Sequence, residues 1–304
     1  MKKMFIILVL LVIGISMANS QSRSNYIELR DAGKVCMQKG QFADAKFIFD
    51  GAEGFASELS EAYVKEIQNL QRTLRDSVNT VYNAAYNLMG RNDEKAVMMF
   101  ERLFDKSGKP MHANLYAQMG WSYGQLKMKE KQRKLYEKGL AEGESLAAYY
   151  LAVLMQENRD NVSTDSLLNL YLSARYVKSS IDSVAIIYYR KAQYNKSYSM
   201  FSKNQTVFSK YWRARILLDD KTNKYLDDAY KSDDPIKFLS EAACADNLSS
   251  AKSENRDALF YLGMLYRYAK PGDRVKRDEI KGRSLIIKAK DLGHPEAKRI
   301  WYNL

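Results

Sequence analysis

The chain has 304 residues, 46% of them hydrophobic and 28% charged, with a formal net charge of +12, four prolines, two cysteines and two histidines. That apolar content excludes general disorder, and four prolines without any low-complexity linker suit helices of moderate length joined by short turns. Isolated histidines, and cysteines with no CxxC pairing, leave nothing from which to build a structural metal site, so no metal and no cofactor is expected.

The first twenty residues read as an address. Lys2 and Lys3 form a charged start, Met4 to Ile15 is apolar apart from Gly14, and Met17-Ala18-Asn19-Ser20 offers small residues suited to cleavage after Ser20. This predicts a Sec-type signal peptide over 1–20. Its apolar run of about a dozen residues falls short of the roughly twenty that span a bilayer, which makes an uncleaved anchor the weaker alternative. No Cys near the cleavage point supports a lipobox. The expectation is an exported mature chain, 21–304, periplasmic or extracellular, with no transmembrane span and a charge of +10 once the two lysines are gone. An exported chain of this kind is not expected to meet nucleic acid.

Laid on itself, the mature chain repeats. Lys39 to Phe49 reads KGQFADAKFIF and Lys191 to Phe201 reads KAQYNKSYSMF, while Gly90 to Phe100, GRNDEKAVMMF, keeps Ala96 and Phe100 at the same interval with one residue inserted. An amphipathic pattern precedes each. Leu29, Ala32, Gly33 and Cys36 recur as Tyr116, Met119, Gly120 and Tyr123, and as Ala148, Leu151, Ala152 and Met155. Two more copies are Ile181, Val184, Ala185 and Tyr188, and Leu259, Leu262, Gly263 and Tyr266. Spacings of three and four define one helix face, and the small residue at its centre lets a second helix approach closely.

These motifs resemble the tetratricopeptide repeat, in the first copy through Leu29, Ala32, Gly33, Gly40, Phe42, Ala45, Phe49 and Ala52. The last copy, with its longer loop and its closing Leu292-Gly293-His294-Pro295-Glu296-Ala297, resembles the related Sel-like repeat, as does the turn in YEKGLAEGESLAA from Tyr136 to Ala148. Central markers fall at Gly33, near Ala84, at Gly120, Ala152 and Ala185, near Arg215 and at Gly263, about 51, 36, 32, 33, 30 and 48 residues apart. The resemblance implies an all-α fold, an α-solenoid of about six to seven stacked antiparallel helix hairpins over 21–304. Its strongest copies are 26–53, 78–104, 113–140, 178–202 and 256–302, and a terminal helix near Glu296 to Tyr302 closes one end. The two long spacings should hold inserted helix. In the first, Phe55, Leu59, Tyr63, Ile67, Leu70 and Leu74 step mainly by three or four, and Asp76-Ser77 then offers a cap for a helix starting at Val78, while periodicity leaves open whether the chain bends there or runs on as one long helix. Cys36 and Cys244 lie far apart along such an array, so two buried free thiols are expected.

Catalytic motifs are missing: there is no GxSxG, no GxxxxGK(S/T), no HExxH and no Cys with a His partner, and an enzyme is not expected. Asp219-Asp220, Asp227-Asp228 and Asp233-Asp234 suggest a cation site, but their turn-rich, lysine-interleaved setting favours caps and solvated turns. Asp76-Ser77-Val78, Asp165-Ser166-Leu167 and Asp182-Ser183-Val184 resemble an O-glycosylation acceptor, but each stands where a helix would begin, and capping is the default reading. Basic runs stand at Lys127 to Lys138, six basic against two acidic residues, and Arg267 to Arg299, eleven against five. Solvated helix faces are the simpler account of them; contact with an anionic glycan or lipid surface is the alternative.

The resemblance also implies a concave partner-binding face formed by residues flanking the small central pair. Carried over, that face holds Arg30, Lys34 and Gln38 in the first copy, Ala117, Trp121 and Gln125 in the third, and Phe260, Met264, Arg267 and Tyr268 in the last. The implied function is a non-catalytic scaffold or adaptor in the cell envelope that binds a protein or peptide partner, as an extended segment or a helix.

Overall fold

The computed structural model describes residues 2–158, 162–244, 252–271 and 273–303, without the side chains of 2–19, 252, 254 and 303. The signal peptide expected over 1–20 therefore falls almost wholly outside the described side chains. Among the described residues there are seventeen α-helices, a terminal 3-10 turn and no strand. Among the residues whose side chains are described, which leave out 2–19 of the first helix, no helix is long and apolar enough to cross a membrane. The chain divides into two compact units, Met1–Asn158 and Arg159–Leu304.

The first unit contains α1 (Lys2–Gln38), α2 (Phe42–Leu59), α3 (Glu61–Leu88), α4 (Asp93–Glu101), α5 (Leu115–Gln125), α6 (Lys129–Ala141) and α7 (Ser145–Glu157). Each packs against the next, and α1 also touches α3 while α5 touches α7. The second unit contains α8 (Thr164–Ser173), α9 (Lys178–Arg190), α10 (Tyr194–Ser202) and α11 (Val207–Leu218). The short α12 (Asp220–Asn223) and α13 (Asp228–Lys231) come next, followed by α14 (Pro235–Ala243), α15 (Lys252–Tyr268), α16 (Glu279–Asp291) and α17 (Pro295–Ile300). Here α8 to α11 pack in sequence, α11 packs on α14 and touches α15, and α14 to α17 again pack in sequence.

One turn recurs through both units. At residues 40–41, 127–128, 143–144, 192–193 and 293–294 a left-handed residue ends one helix, and its successor donates its amide to the carbonyl five residues back, as in Gln41 to Cys36, Met128 to Tyr123, Glu144 to Gly139, Gln193 to Tyr188 and His294 to Ala289. This is a Schellman closure, and its second residue serves as N-cap of the following helix. Gly143 and Gly293 adopt φ of +79° and +89° without a Cβ penalty; Lys127 and Ala192 hold φ of 61° and 55° with one. The α3–α4 turn departs from this pattern, with Asn92 bonding to Leu88, as the extra residue in GRNDEKAVMMF requires.

The helix crossings follow from small residues. A Cβ on Gly33 would lie 2.3 Å from the Phe49 ring, one on Gly120 2.5 Å from Tyr136, and one on Gly263 2.8 Å from Ile286 and 3.0 Å from the Gly282 carbonyl. All three sequence markers therefore sit at close crossings, where added volume costs about 1–3 kcal/mol. On the second helices of three hairpins, α2, α4 and α10, the pairs Ala45 and Phe49, Ala96 and Phe100, and Ser197 and Phe201 are fully buried. Ser197 replaces the expected Ala because its hydroxyl donates to the Ala185 carbonyl, so its burial leaves no orphaned group.

Several expectations need correction. The helix break after Phe55 falls at Ser60, between α2 and α3, and of the two courses open at Asp76-Ser77 the chain takes the continuous one: α3 runs unbroken through it, and the Ser77 hydroxyl donates back to Thr73 instead of capping. Ser183 does likewise to Ser179 within α9, and in α8 the cap is Ser163, two residues ahead of Asp165. The marker placed near Ala84 is the fully buried Ala85, and the one placed near Arg215 is the fully buried Ala214, both as that placing allows. Both cysteines are free as expected but not buried: Cys36 is half-buried, and Cys244 is exposed because it ends α14.

Candidate functional site

In the first unit, aromatic side chains from successive hairpins converge on one face. Tyr82 and Tyr86 lie one turn apart on α3 with rings stacked at 6.5 Å, and His112 stacks on Tyr82 at 3.5 Å. From α7, Tyr149 and Tyr150 lie 5.7 Å apart, and the buried Tyr136 of α6 supports Tyr150 at 5.6 Å. The two groups are neighbours, since Tyr86 and Tyr150 both act electrostatically on Tyr82, and Tyr86 acts on Tyr150. Burial pushes Tyr82 and Tyr136 up to about 12 and raises Tyr150, so these phenols stay protonated across the neutral range. Tyr86 is 52% exposed and Tyr149 half-buried, so rings anchored from beneath remain open to a partner.

Glu144 ties this face together. Its backbone carbonyl accepts from Ala148 at the start of α7, while its carboxylate accepts from Ala117 N at 2.9 Å and Tyr116 N at 3.3 Å at the start of α5. Burial pushes its carboxyl up to about 7, opposed by those two amides. Trp121, half-buried on α5, sets its ring tip 3.5 Å from where a Cβ would stand on Gly90.

The residues carried over from the resemblance do not form one exposed face. Arg30 and Lys34 are held by carboxylates: the Arg30 guanidinium lies 2.8 Å from Asp31 and 3.4 Å from Glu66, and the Lys34 ammonium 3.8 and 3.9 Å from the same two groups, fastening α1 to α3. Gln38 and Gln125 are exposed. Ala117 is fully buried, because Glu144 covers its end of α5, and it is unable to touch a partner. Phe260 stacks on His294 at 4.1 Å, and Met264 packs with it beside Ile286 and Ala297, so α16 and α17 cover that part of the last copy. Arg267 is half-buried with Nε donating to the hydroxyl of Tyr268, which is 54% exposed.

The aromatic residues of α3 and α7 were missed by that carry-over, yet a signal for one of them existed. Tyr149 stands two residues before the central Leu151-Ala152, the offset that Arg30, Ala117 and Phe260 hold in their copies, so the same rule applied to that copy picks out Tyr149, while Tyr150, Tyr82 and Tyr86 carry no such signal. The acidic run is spent on structure. Asp219 and Asp234 cap short helices, Asp227 accepts from Asn195, and Asp233 accepts from Tyr198 and, at 2.8 Å, from the buried Arg213. Among the described residues no group of three or more His, Cys, Asp or Glu could hold a metal ion. The chain matches no protein-family model, and no curated protein is significantly similar to it.

Proposed function

We propose that this chain is an exported helical-repeat scaffold of the tetratricopeptide and Sel-like kind, its hairpins stacking as in an α-solenoid, and that it binds a peptide or helix of a partner protein. The observation that carries this reading is the convergence of Tyr82, Tyr86, Tyr149 and Tyr150 on one face. Tyr82 is buried and anchors the group, Tyr86 is 52% exposed, and Tyr149 and Tyr150 are half-buried; tyrosines with ordered rings contribute much contact area for little lost entropy, the composition of a protein-binding hot spot. The recurring turn and the glycine crossings support the repeat reading, because each hairpin lends its neighbour apolar cover.

The test is a peptide selection on the purified chain, followed by affinity measurement on Tyr86→Ala, Tyr149→Ala and the double variant. Selected peptides should share a side-chain pattern and bind the double variant at least tenfold more weakly, with its circular dichroism and melting unchanged. Equal affinity for the double variant overturns the assignment of the face.

A further inference from the structure

Helix α6 presents a row of one charge. Lys131, Lys134 and Lys138 follow at spacings of three and four and are all exposed. At about 100° per residue they share an arc of about 60°, on the side away from the buried Tyr136 and Gly139. Lys127, exposed in the turn just ahead, prolongs the row toward the start of the helix. The Lys131 ammonium lies 5.1 Å from the centre of the Tyr123 ring, a contact that fixes its place and leaves its charge unanswered. Arg133 pairs with Glu137 at 3.0 Å, and among the described residues no carboxylate lies within ion-pair distance of Lys127, Lys131, Lys134 or Lys138.

Elsewhere in the chain the same spacings carry opposite charges: Lys46 meets Asp50, Lys65 meets Glu61 and Lys231 meets Asp228. In α6 they carry like charges, which repel, and Lys127 adds the Cβ penalty of a φ of 61°. A face that is merely solvated gains nothing from either. Lys127 to Lys138 has six basic residues against two acidic, so once Arg133 and Glu137 cancel, five lysines stand against the one carboxylate of Glu130.

We infer that this row binds a linear anionic polysaccharide, whose acidic groups lie along Lys127, Lys131, Lys134 and Lys138. Glu130 and Glu137 are exposed on one flank, about 70–90° round the helix from the centre of the row, so a flat bilayer pressed against it meets both carboxylates while a narrow chain lying on the lysines passes them by. The one large hydrophobic exposed between 127 and 141 is Met128, at 39%, which leaves the row without the apolar centre of a protein interface or the apolar face of a lipid-bound helix. Nucleic acid phosphates favour the guanidinium fork, and Arg133 is committed to Glu137. Single ammonium groups repeated about once per turn suit a stiff polymer with acids spaced along it. This inference is independent of the aromatic face, which Tyr82, Tyr86, Tyr149 and Tyr150 form without any lysine of the row.

The experiment titrates the full chain with polygalacturonate, with uncharged dextran, with polyglutamate and with phosphatidylglycerol vesicles. Polygalacturonate should bind and weaken steeply as salt rises, and dextran should not bind. Polyglutamate should bind more weakly at matched charge, because a flexible coil loses more entropy than a stiff sugar chain when it is laid straight. Lys131→Gln with Lys134→Gln and Lys138→Gln should weaken polygalacturonate at least tenfold, with melting unchanged or slightly raised because all three side chains are exposed and repel one another. A control triple, Lys276→Gln with Arg283→Gln and Lys298→Gln, removes the same charge from exposed positions outside the row and should weaken binding less than twofold. No binding, or equal weakening by the two triples, overturns the inference. So does binding of vesicles or polyglutamate as tight as that of polygalacturonate.

Discussion

The turns at Gly143 and Gly293 share one backbone and differ at the next side chain. Glu144 leaves its own helix without a side-chain cap and spends its carboxylate on the first amides of α5. His294 does the reverse: Nδ1 accepts from Ala297 N in its own helix at 3.2 Å, and the ring reaches the preceding hairpin by stacking on Phe260, with Nε2 3.6 Å from the Asp257 carboxylate. A single closure motif can therefore clamp a neighbouring hairpin through hydrogen bonds to a carboxylate or through ring contact. The difference lies in one residue, and the backbone does not record it.

Removing the clamp should separate the two turns most. Glu144→Ala orphans the Tyr116 and Ala117 amides and should cost about 2–3 kcal/mol, whereas His294→Asn keeps a cap acceptor and loses mainly the ring contact, about 1 kcal/mol. Denaturant melts of the two variants decide this, and equal losses would erase the distinction drawn here. Proton linkage should also set the turns against each other. Glu144 titrates near 7 when folded against 4.5 when free, so the folded state holds the extra proton and stability falls as pH rises from 4.5 to 7. Burial lowers His294 below its ordinary 6.5, so its contribution is present above 6.5 and is lost as pH falls through the lowered value. Melts between pH 5 and 8 should show the first slope vanish in Glu144→Gln and the second in His294→Asn. The smallest effect belongs to the turns lacking glycine. Lys127→Gly and Ala192→Gly should each stabilise by about 0.5–1 kcal/mol, while the same change at a right-handed helix position destabilises.

Much of this architecture is readable from spacing alone. Gly33, Gly120 and Gly263 announce crossings because no other residue fits beneath Phe49, Tyr136 and Ile286. What periodicity withholds is the cover over a face. It places Ala117 and Phe260 on a helix surface but carries no information about Glu144 or α17 lying over them. Capping chemistry misleads for a related reason: Ser77 and Ser183 bond back along the helix as readily as Ser163 begins one. The aromatic face escaped because its members come from α3 and α7, far apart in sequence, and only packing brings Tyr86 to Tyr150.

The unbroken course of α3 has a consequence for how this chain can change. Its 28 residues span about 42 Å, with Ile67 and Leu74 facing the first hairpin and Tyr82 and Ala85 serving the second. Inserting one residue near Asp76 would rotate everything beyond it by about 100°, swinging Tyr82 and Tyr86 away from α7 while the first hairpin stayed in register. Length variation in this helix keeps both faces in register only near whole numbers of turns, roughly seven, eleven or eighteen residues, which would move the two hairpins apart by about 10, 16 or 27 Å.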